Sequence, residues 1–252
     1  MRFYYLADDS EKSLAPFFSP LMLSVTFNCV WIFGALLLVF WPQKELFKFI
    51  RGHEIPLTFL GVFVGTLLIS SYVNLRCGRG ETFPKNIFSR MVREGVITLE
   101  EKHNFLSYGF VQSILHNIFF ILLAFPLLIL SATISGISLQ VFAQVLSILF
   151  TAPLLCRLFS FLIYLLLGRW SLMGFLLARL FFIFFFFATG AFGAFANPIL
   201  LIYAFHKGEK ILTGSQMNAY SLYIMIVTSA ILILTLVNNA IIRHNIIKER
   251  SA

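Results

Sequence analysis

Long apolar stretches alternate with shorter polar segments along the whole of this 252-residue chain. An α-helix needs about 20 mostly apolar residues to cross the hydrocarbon core of a bilayer. Six stretches reach that length, at residues 21–41, 56–75, 110–130, 139–167, 172–196 and 219–242. The pattern predicts an all-α, polytopic integral membrane protein with about six transmembrane helices, which form a single transmembrane domain over residues 1–252.

The fifth stretch continues as apolar sequence beyond residue 196 and is too long for one crossing. As a single helix at 1.5 Å per residue, residues 172–205 would measure about 50 Å. The helix breakers in it are Gly190, Gly193 and the Asn197-Pro198 pair. We therefore expect a span up to about residue 196, followed by a short apolar piece that lies in or re-enters the outer interface.

Composition supports placement in lipid. Hydrophobic residues make up 59% of the chain and charged residues 12%, whereas soluble domains are about 45–50% apolar and about 25% charged. The net charge is +8, and the basic residues lie in short loops beside the apolar stretches. That placement indicates contact with anionic membrane lipid and argues against nucleic acid as a partner.

The distribution of Lys and Arg predicts the orientation, because cytoplasmic loops carry an excess of them. With the N-terminus inside, twelve of the 19 Lys and Arg residues fall in cytoplasmic segments and five in outer segments. We expect a multi-pass protein of the plasma (cell inner) membrane with both ends inside, N-in and C-in. Five spans with the C-terminus outside is the alternative arrangement.

The predicted spans carry few side chains for chemistry. None of them contains Asp or Glu, and His116 is the only histidine inside one. The three cysteines lack the spacing of a zinc site or of a disulfide framework. Glu100 and Glu101 suggest metal ligands, but no span after the third supplies a histidine to complete such a site. We expect no catalytic residues, no metal, no cofactor and no enzymatic activity.

Four polar residues inside the spans are candidates for a substrate or headgroup path: Arg157, Arg179, His116 and Asn117. Two interpretations of the arginines stay open. Their long side chains can extend to lipid headgroups at the membrane surface. Alternatively, they line a cytoplasm-facing vestibule that attracts an anionic headgroup or substrate. For His116 the simpler interpretation is a hydrogen bond to a neighbouring helix.

The longest polar stretch, between the second and third spans, contains a segment with the pattern of an amphipathic helix. Over residues 88–106, apolar positions such as Met91 and Leu99 alternate with charged ones at helical spacing. Thr98 and Glu101 fit a capping box, which predicts a helix start close to Thr98. We expect a cytoplasmic amphipathic segment here and a third span that opens at Gly109.

Three motifs in this order resemble the permease subunits of ABC-2-type exporters, including the haem-exporter B kind. That family has a Gly-(Thr/Ser)-Leu-Glu element before a coupling helix, then a Pro-Leu-Leu-like stretch, then a small residue followed by proline in a further span. The corresponding residues here are Gly95 with Thr98, Leu99 and Glu100, then residues 126–131 (PLLILS), then Thr151-Ala152-Pro153. The resemblance covers about residues 90–205.

The resemblance implies a transmembrane permease that moves a hydrophobic or amphiphilic substrate with energy from a separate ATPase subunit. It also implies a homodimer or a hetero-oligomeric membrane complex. The ATPase would bind a coupling segment that contains Glu94, Leu99, Glu100, Glu101 and Phe105. An interfacial helix that lies on the membrane is the alternative interpretation of this segment.

A second function is compatible with the same pattern of spans. The turn around Gly168 resembles the inter-span turn of Yip1-like multi-span proteins. This resemblance implies a non-transporting scaffold or assembly subunit of a larger membrane complex, with stable partners and no dependence on nucleotide.

Overall fold

A computed structural model describes residues 57–81, 99–168, 171–207 and 214–250. Every regular element within these residues is a helix. The elements are α1 (Leu57–Glu81), α2 (Leu99–Ile134), α3 (Leu139–Leu167), α4 (Leu172–Phe186), a 3-10 helix (Ala188–Phe192), α5 (Pro198–Lys207) and α6 (Gly214–Arg250).

Five helical segments among the described residues are long and apolar enough to cross a membrane. They are Phe59–Gly78, Ser113–Thr133, Leu139–Leu167, Leu172–Phe192 and Gly214–Ile242. They correspond to the second through sixth predicted spans, so the prediction of several helices long and apolar enough to span a membrane is confirmed for the described residues. The first predicted span, at residues 21–41, lies outside the described residues, and the count of six stays a prediction.

Helix α3 forms the centre of the bundle. It packs most extensively against α1 and next against α6, and it also contacts α2, α4 and α5. It buries 16 of its 29 residues, whereas only four of the 29 residues in the span of α6 are buried. The start of α3 is capped by Ser138, whose side chain accepts a hydrogen bond from the Val141 N–H. Gly168 ends it with φ +91°, a conformation that favours glycine.

Helix α2 departs from the prediction at its start. It runs without a break from Leu99 to Ile134 and passes through Gly109, where a separate span was expected to open. One glycine inside a helix costs only about 1 kcal/mol, so helix-forming neighbours on both sides can carry the helix through it. The apolar span is therefore continuous with the second half of the amphipathic segment. Residues 88–98 lie outside the described residues.

The fifth apolar stretch is broken near its glycines and Asn197-Pro198, although its α-helix ends about ten residues before the predicted end of the span at residue 196. Helix α4 ends at Phe186, the 3-10 helix follows, and Gly193 turns the chain with φ +107°. Helix α5 then packs against α1, α3 and α6 and buries Leu201, Ile202 and Phe205. Its position relative to the membrane surface stays a prediction.

Helix α6 is longer than its predicted span. It begins at Gly214, before residue 219, and continues beyond residue 242 to Arg250. Its outer face leaves large apolar side chains exposed, for example Leu232, Ile233 and Leu236. Because exposed aliphatic side chains cost nothing in hydrocarbon, this face suits contact with lipid tails.

Candidate functional site

A buried polar contact joins α1 and α3 at Arg157. The Arg157 side chain is 0% exposed, and its Nη1 donates a hydrogen bond to Oδ1 of Asn74 over 3.4 Å. One turn further along α3, the Ser160 hydroxyl donates to the carbonyl oxygen of Leu75 over 2.6 Å. These contacts fix the register of the two helices, because each bond joins a polar group of α3 to one specific turn of α1.

The predicted place of Arg157 in a substrate or headgroup path stays a prediction. In the structure the Arg157 side chain is 0% exposed and lies inside the bundle. The physical reason is that α1 supplies an oxygen acceptor, Asn74, at the depth where Arg157 lies. A charged group buried in a membrane protein is retained when such partners solvate it in place of water.

The helix crossing beside Arg157 requires a glycine. A Cβ atom on Gly78 would lie 2.5 Å from the carbonyl oxygen of Arg157 and 2.9 Å from the backbone nitrogen of Phe161. Backbone atoms cannot retreat as a flexible side chain can. Gly78 thus permits the close approach that α1 and α3 make at this end of the bundle.

Arg179 of α4 occupies a different environment. The side chain is half-buried, its Nη2 donates to the Tyr72 hydroxyl over 3.0 Å, and its guanidinium carbon lies 3.4 Å from the centre of the Phe175 ring. The buried Nη1 atom has no hydrogen-bond partner among the described residues. The guanidinium group is therefore fixed in position while part of its donor capacity is unused.

Arg179 lines a cavity of about 60 Å³ between α1, α3 and α4. The lining residues are Tyr72, Leu75, Arg76, Tyr164, Phe175, Ala178 and Arg179. Two of these seven residues are arginines and none is acidic, so the cavity is electropositive. Arg76 lies near the C-terminal end of α1, the end of the bundle that the predicted orientation assigns to the cytoplasm.

Sequence reasoning identified Arg179 but missed the other polar residues of this cavity. It treated Arg76 as the residue that ends the second span, whereas α1 continues to Glu81. The available signal was helical spacing: Tyr72 and Arg76 are four residues apart and therefore share one face of α1. Which other helix meets that face is tertiary information that the spacing does not contain.

The other two path candidates do not join this cavity. Asn117 of α2 is buried and donates through Nδ2 to the carbonyl oxygen of Phe150 on α3. Phe150 precedes Arg157 by seven residues, about 10 Å along the helix axis. His116 lies on α2, and its side chain is outside the described part of the structure. Among these four candidates, only Arg179 lines the cavity.

The predicted coupling residues lie at the start of α2. Leu99, Glu100, Glu101 and Phe105 fall in its first two turns, and their side chains are outside the described part of the structure. Glu94 is in a segment that the structure does not describe. These assignments remain predictions.

Anion binding is the chemistry best supported by the described side chains. No group of three or more His, Cys, Asp or Glu residues within the described ranges could hold a metal ion. Cys77 and Cys156 are both buried in the bundle. No protein-family model, curated protein or solved structure matches this chain.

Proposed function

We propose that this chain is the transmembrane permease subunit of an ABC-type exporter in the cell inner membrane. A separate ATPase subunit supplies the energy, and the cargo is hydrophobic or amphiphilic. The observation that carries the proposal is the continuity of α2, which joins the proposed coupling residues to a membrane span within one 36-residue helix.

A continuous helix can transmit movement from one end to the other. The apolar span in α2 is Ser113–Thr133, so the helix begins 14 residues earlier, at Leu99. At 1.5 Å per residue, those residues project about 20 Å beyond the span. A partner that tilts this projecting part would tilt the span as well, which is the mechanical link that a permease needs to its ATPase.

The start of α2 has the charge expected of a docking element. Glu100 and Glu101 lie in its first turn, where the helix dipole favours negative charge. Apolar Leu99 and Phe105 accompany them in the first two turns. A short helix end that combines acids with apolar residues suits a groove with basic edges on a partner protein.

The rest of the architecture is compatible with this role. The 3-10 helix and α5 form a broken segment between α4 and α6, the helices of the last two spans. Only four of the 29 residues in the span of α6 are buried within one copy of the chain. Its exposed apolar face suits lipid or a second permease copy in a dimer.

Photo-crosslinking tests the proposal directly. A benzoylphenylalanine placed at Glu101 or at Phe105 should cross-link, in native membranes, to a protein that carries a nucleotide-binding site. ATP with vanadate, which traps closed ATPase dimers, should change the yield several-fold. Leu122 is the matched control, since it lies on the same helix with its side chain 59% exposed inside the span; a probe there should give lipid adducts and no ATPase product.

The same experiment addresses the scaffold alternative. Strong cross-links from Glu101 that are insensitive to nucleotide would support a non-transporting assembly subunit. Equal cross-linking to the ATPase from Glu101 and from Leu122 would contradict a specific coupling segment.

A further inference from the structure

We propose that the cavity lined by Arg76 and Arg179 binds a phosphate-bearing anion, either a phospholipid headgroup or a free phosphate ester. This inference concerns one protomer and does not depend on an ATPase. It can therefore hold or fail independently of the proposed transport function.

The guanidinium group of Arg179 is held in a position that suits the binding of an oxyanion. The Tyr72 hydroxyl holds Nη2, and the Phe175 ring lies against the guanidinium group. Guanidinium groups bind phosphate through parallel N–H donors, and a group that is already fixed loses little conformational entropy on binding. The unpartnered Nη1 is the donor left for such an oxygen.

A buried donor without a partner is costly, and this cost favours a ligand. An unsatisfied buried polar group is destabilising, and more so when it is charged. The Nη1 atom of Arg179 is in that state among the described residues. An anion in the cavity would remove the penalty, so binding gains energy that a solvent-exposed arginine does not offer.

The second positive charge comes from Arg76. It lies one helical turn after Tyr72 on the same face of α1, and it lines the same cavity as Arg179. No carboxylate among the lining residues neutralises the pair. An anion between two arginines replaces their mutual repulsion with two attractions.

Size limits what the cavity accepts. Its volume of about 60 Å³ is several times the roughly 10–15 Å³ that one water molecule needs on the same scale. A phosphate group fits, whereas an acyl chain does not. A lipid tail would have to remain outside, and the exposed Leu176 and Leu180, which flank Arg179 on α4, offer it apolar surface.

The test uses the full chain in phosphatidylcholine nanodiscs that contain a minor fraction of phosphatidylglycerol. Native mass spectrometry then counts the anionic lipid retained per protein. The wild type should retain phosphatidylglycerol preferentially, and R179Q should reduce this retention about tenfold or more, which matches the loss of a hydrogen bond to a charged group. R76Q should reduce it less, because Arg76 is exposed.

Three variants test whether a loss of lipid retention comes from the site itself, from the change in net charge or from misfolding. R250Q removes one positive charge at the end of α6, at a residue that does not line the cavity, and should retain lipid as the wild type does. R179K keeps the charge but loses the planar fork, so its retention should fall between wild type and R179Q. Y72F removes only the hydroxyl that positions Arg179, and it should also give an intermediate loss.

A second arm distinguishes the two sources of phosphate. In nanodiscs of pure phosphatidylcholine, inorganic phosphate should raise the thermal unfolding temperature of wild type but not of R179Q if a free phosphate ester is the ligand. A response to phosphatidylglycerol alone identifies the lipid headgroup. If R179Q and R250Q match wild type in both arms, the cavity is not an anion site and the inference is overturned.

Discussion

Arg157 of α3 and Asn74 of α1 are both completely buried, and they are joined by a hydrogen bond of 3.4 Å from Nη1 to Oδ1. A cationic side chain is among the most costly groups to bury. Asn74 of α1 supplies an acceptor for this cation, so the burial of Arg157 in α3 depends on the position of α1. The two helices with the most extensive contact in the bundle are also joined at a charged group.

Removing the Asn74 acceptor should destabilise the protein more than removing the Arg157 charge. N74L leaves the Arg157 cation without one of its hydrogen bonds, at an expected cost of about 1.5–3 kcal/mol in the free energy of unfolding. R157M removes the charge and its demand for partners, and apolar replacement of buried ionic groups is often nearly neutral. Unfolding in detergent micelles measures both changes.

The double variant supplies the control for this prediction. N74L combined with R157M should be more stable than N74L alone, because no cation is left to solvate. T228V, at an exposed threonine of α6, should change stability by less than about 0.5 kcal/mol. Strictly additive effects of N74L and R157M would show that the two side chains do not depend on each other.

Gly78 should tolerate no larger residue. In G78A the new Cβ would overlap the Arg157 carbonyl oxygen at 2.5 Å, so α1 and α3 would have to separate. We expect a loss of about 1–3 kcal/mol. Gly214 begins α6, and a Cβ atom added to it would meet no other atom within 4 Å, so G214A is the matched control and should be neutral or slightly stabilising. Equal stability of the two variants would refute the close crossing.

The sequence predicts the membrane spans well because the bilayer imposes their length and polarity. The span at residues 139–167 coincides with α3, since a capping Ser138 and a left-handed Gly168 limit the apolar run at both ends. The break after α4 follows from glycines and a proline, whose backbone restrictions are local. These features depend on neighbouring residues only, which is why a single sequence suffices for them.

The candidate site was only half predictable. Hydropathy places both Arg157 and Arg179 inside apolar runs. In the structure, however, Arg157 is buried between helices and Arg179 lines a cavity. Their difference arises from what faces them: Asn74 for the first, and Tyr72 with Arg76 for the second. Contacts between residues 83 and 107 positions apart depend on how helices pack, and no local pattern in the chain specifies that packing.

Asn197 should be essential for the turn between the 3-10 helix and α5. Its Oδ1 accepts hydrogen bonds from the N–H groups of Ile199 and Leu200, and its Nδ2 donates to the Phe186 carbonyl oxygen and to Thr189 Oγ1. N197A loses all of these bonds, and we expect a cost of roughly 2–3 kcal/mol. Thermal unfolding in nanodiscs would measure it.

Two comparisons test whether the turn needs Asn197 both as an acceptor for the start of α5 and as a donor to Phe186 and Thr189. N197D keeps the acceptor for α5 but loses the donor, and its carboxylate would face the Phe186 carbonyl oxygen, so it should not rescue stability. S138A removes a cap with a single bond of 3.4 Å and should cost about 1 kcal/mol or less. If N197A were no more harmful than S138A, the turn would not depend on the buried side-chain network.

The orientation of α3 decides whether the start of α2 can meet a cytoplasmic ATPase. Leu139 and Leu172 lie near opposite ends of α3, and their side chains are 81% and 73% exposed. In a chain whose native cysteines are replaced, an impermeant maleimide applied to intact cells should label L139C and should label L172C only after permeabilisation. The physical reason is that a spanning α3 must place its two ends on opposite sides, and the excess of Lys and Arg assigns the Leu172 end to the inside. The reversed pattern would put the start of α2 outside the cell and rule out its contact with an ATPase, whereas labelling of both positions in intact cells would show that α3 does not span the membrane.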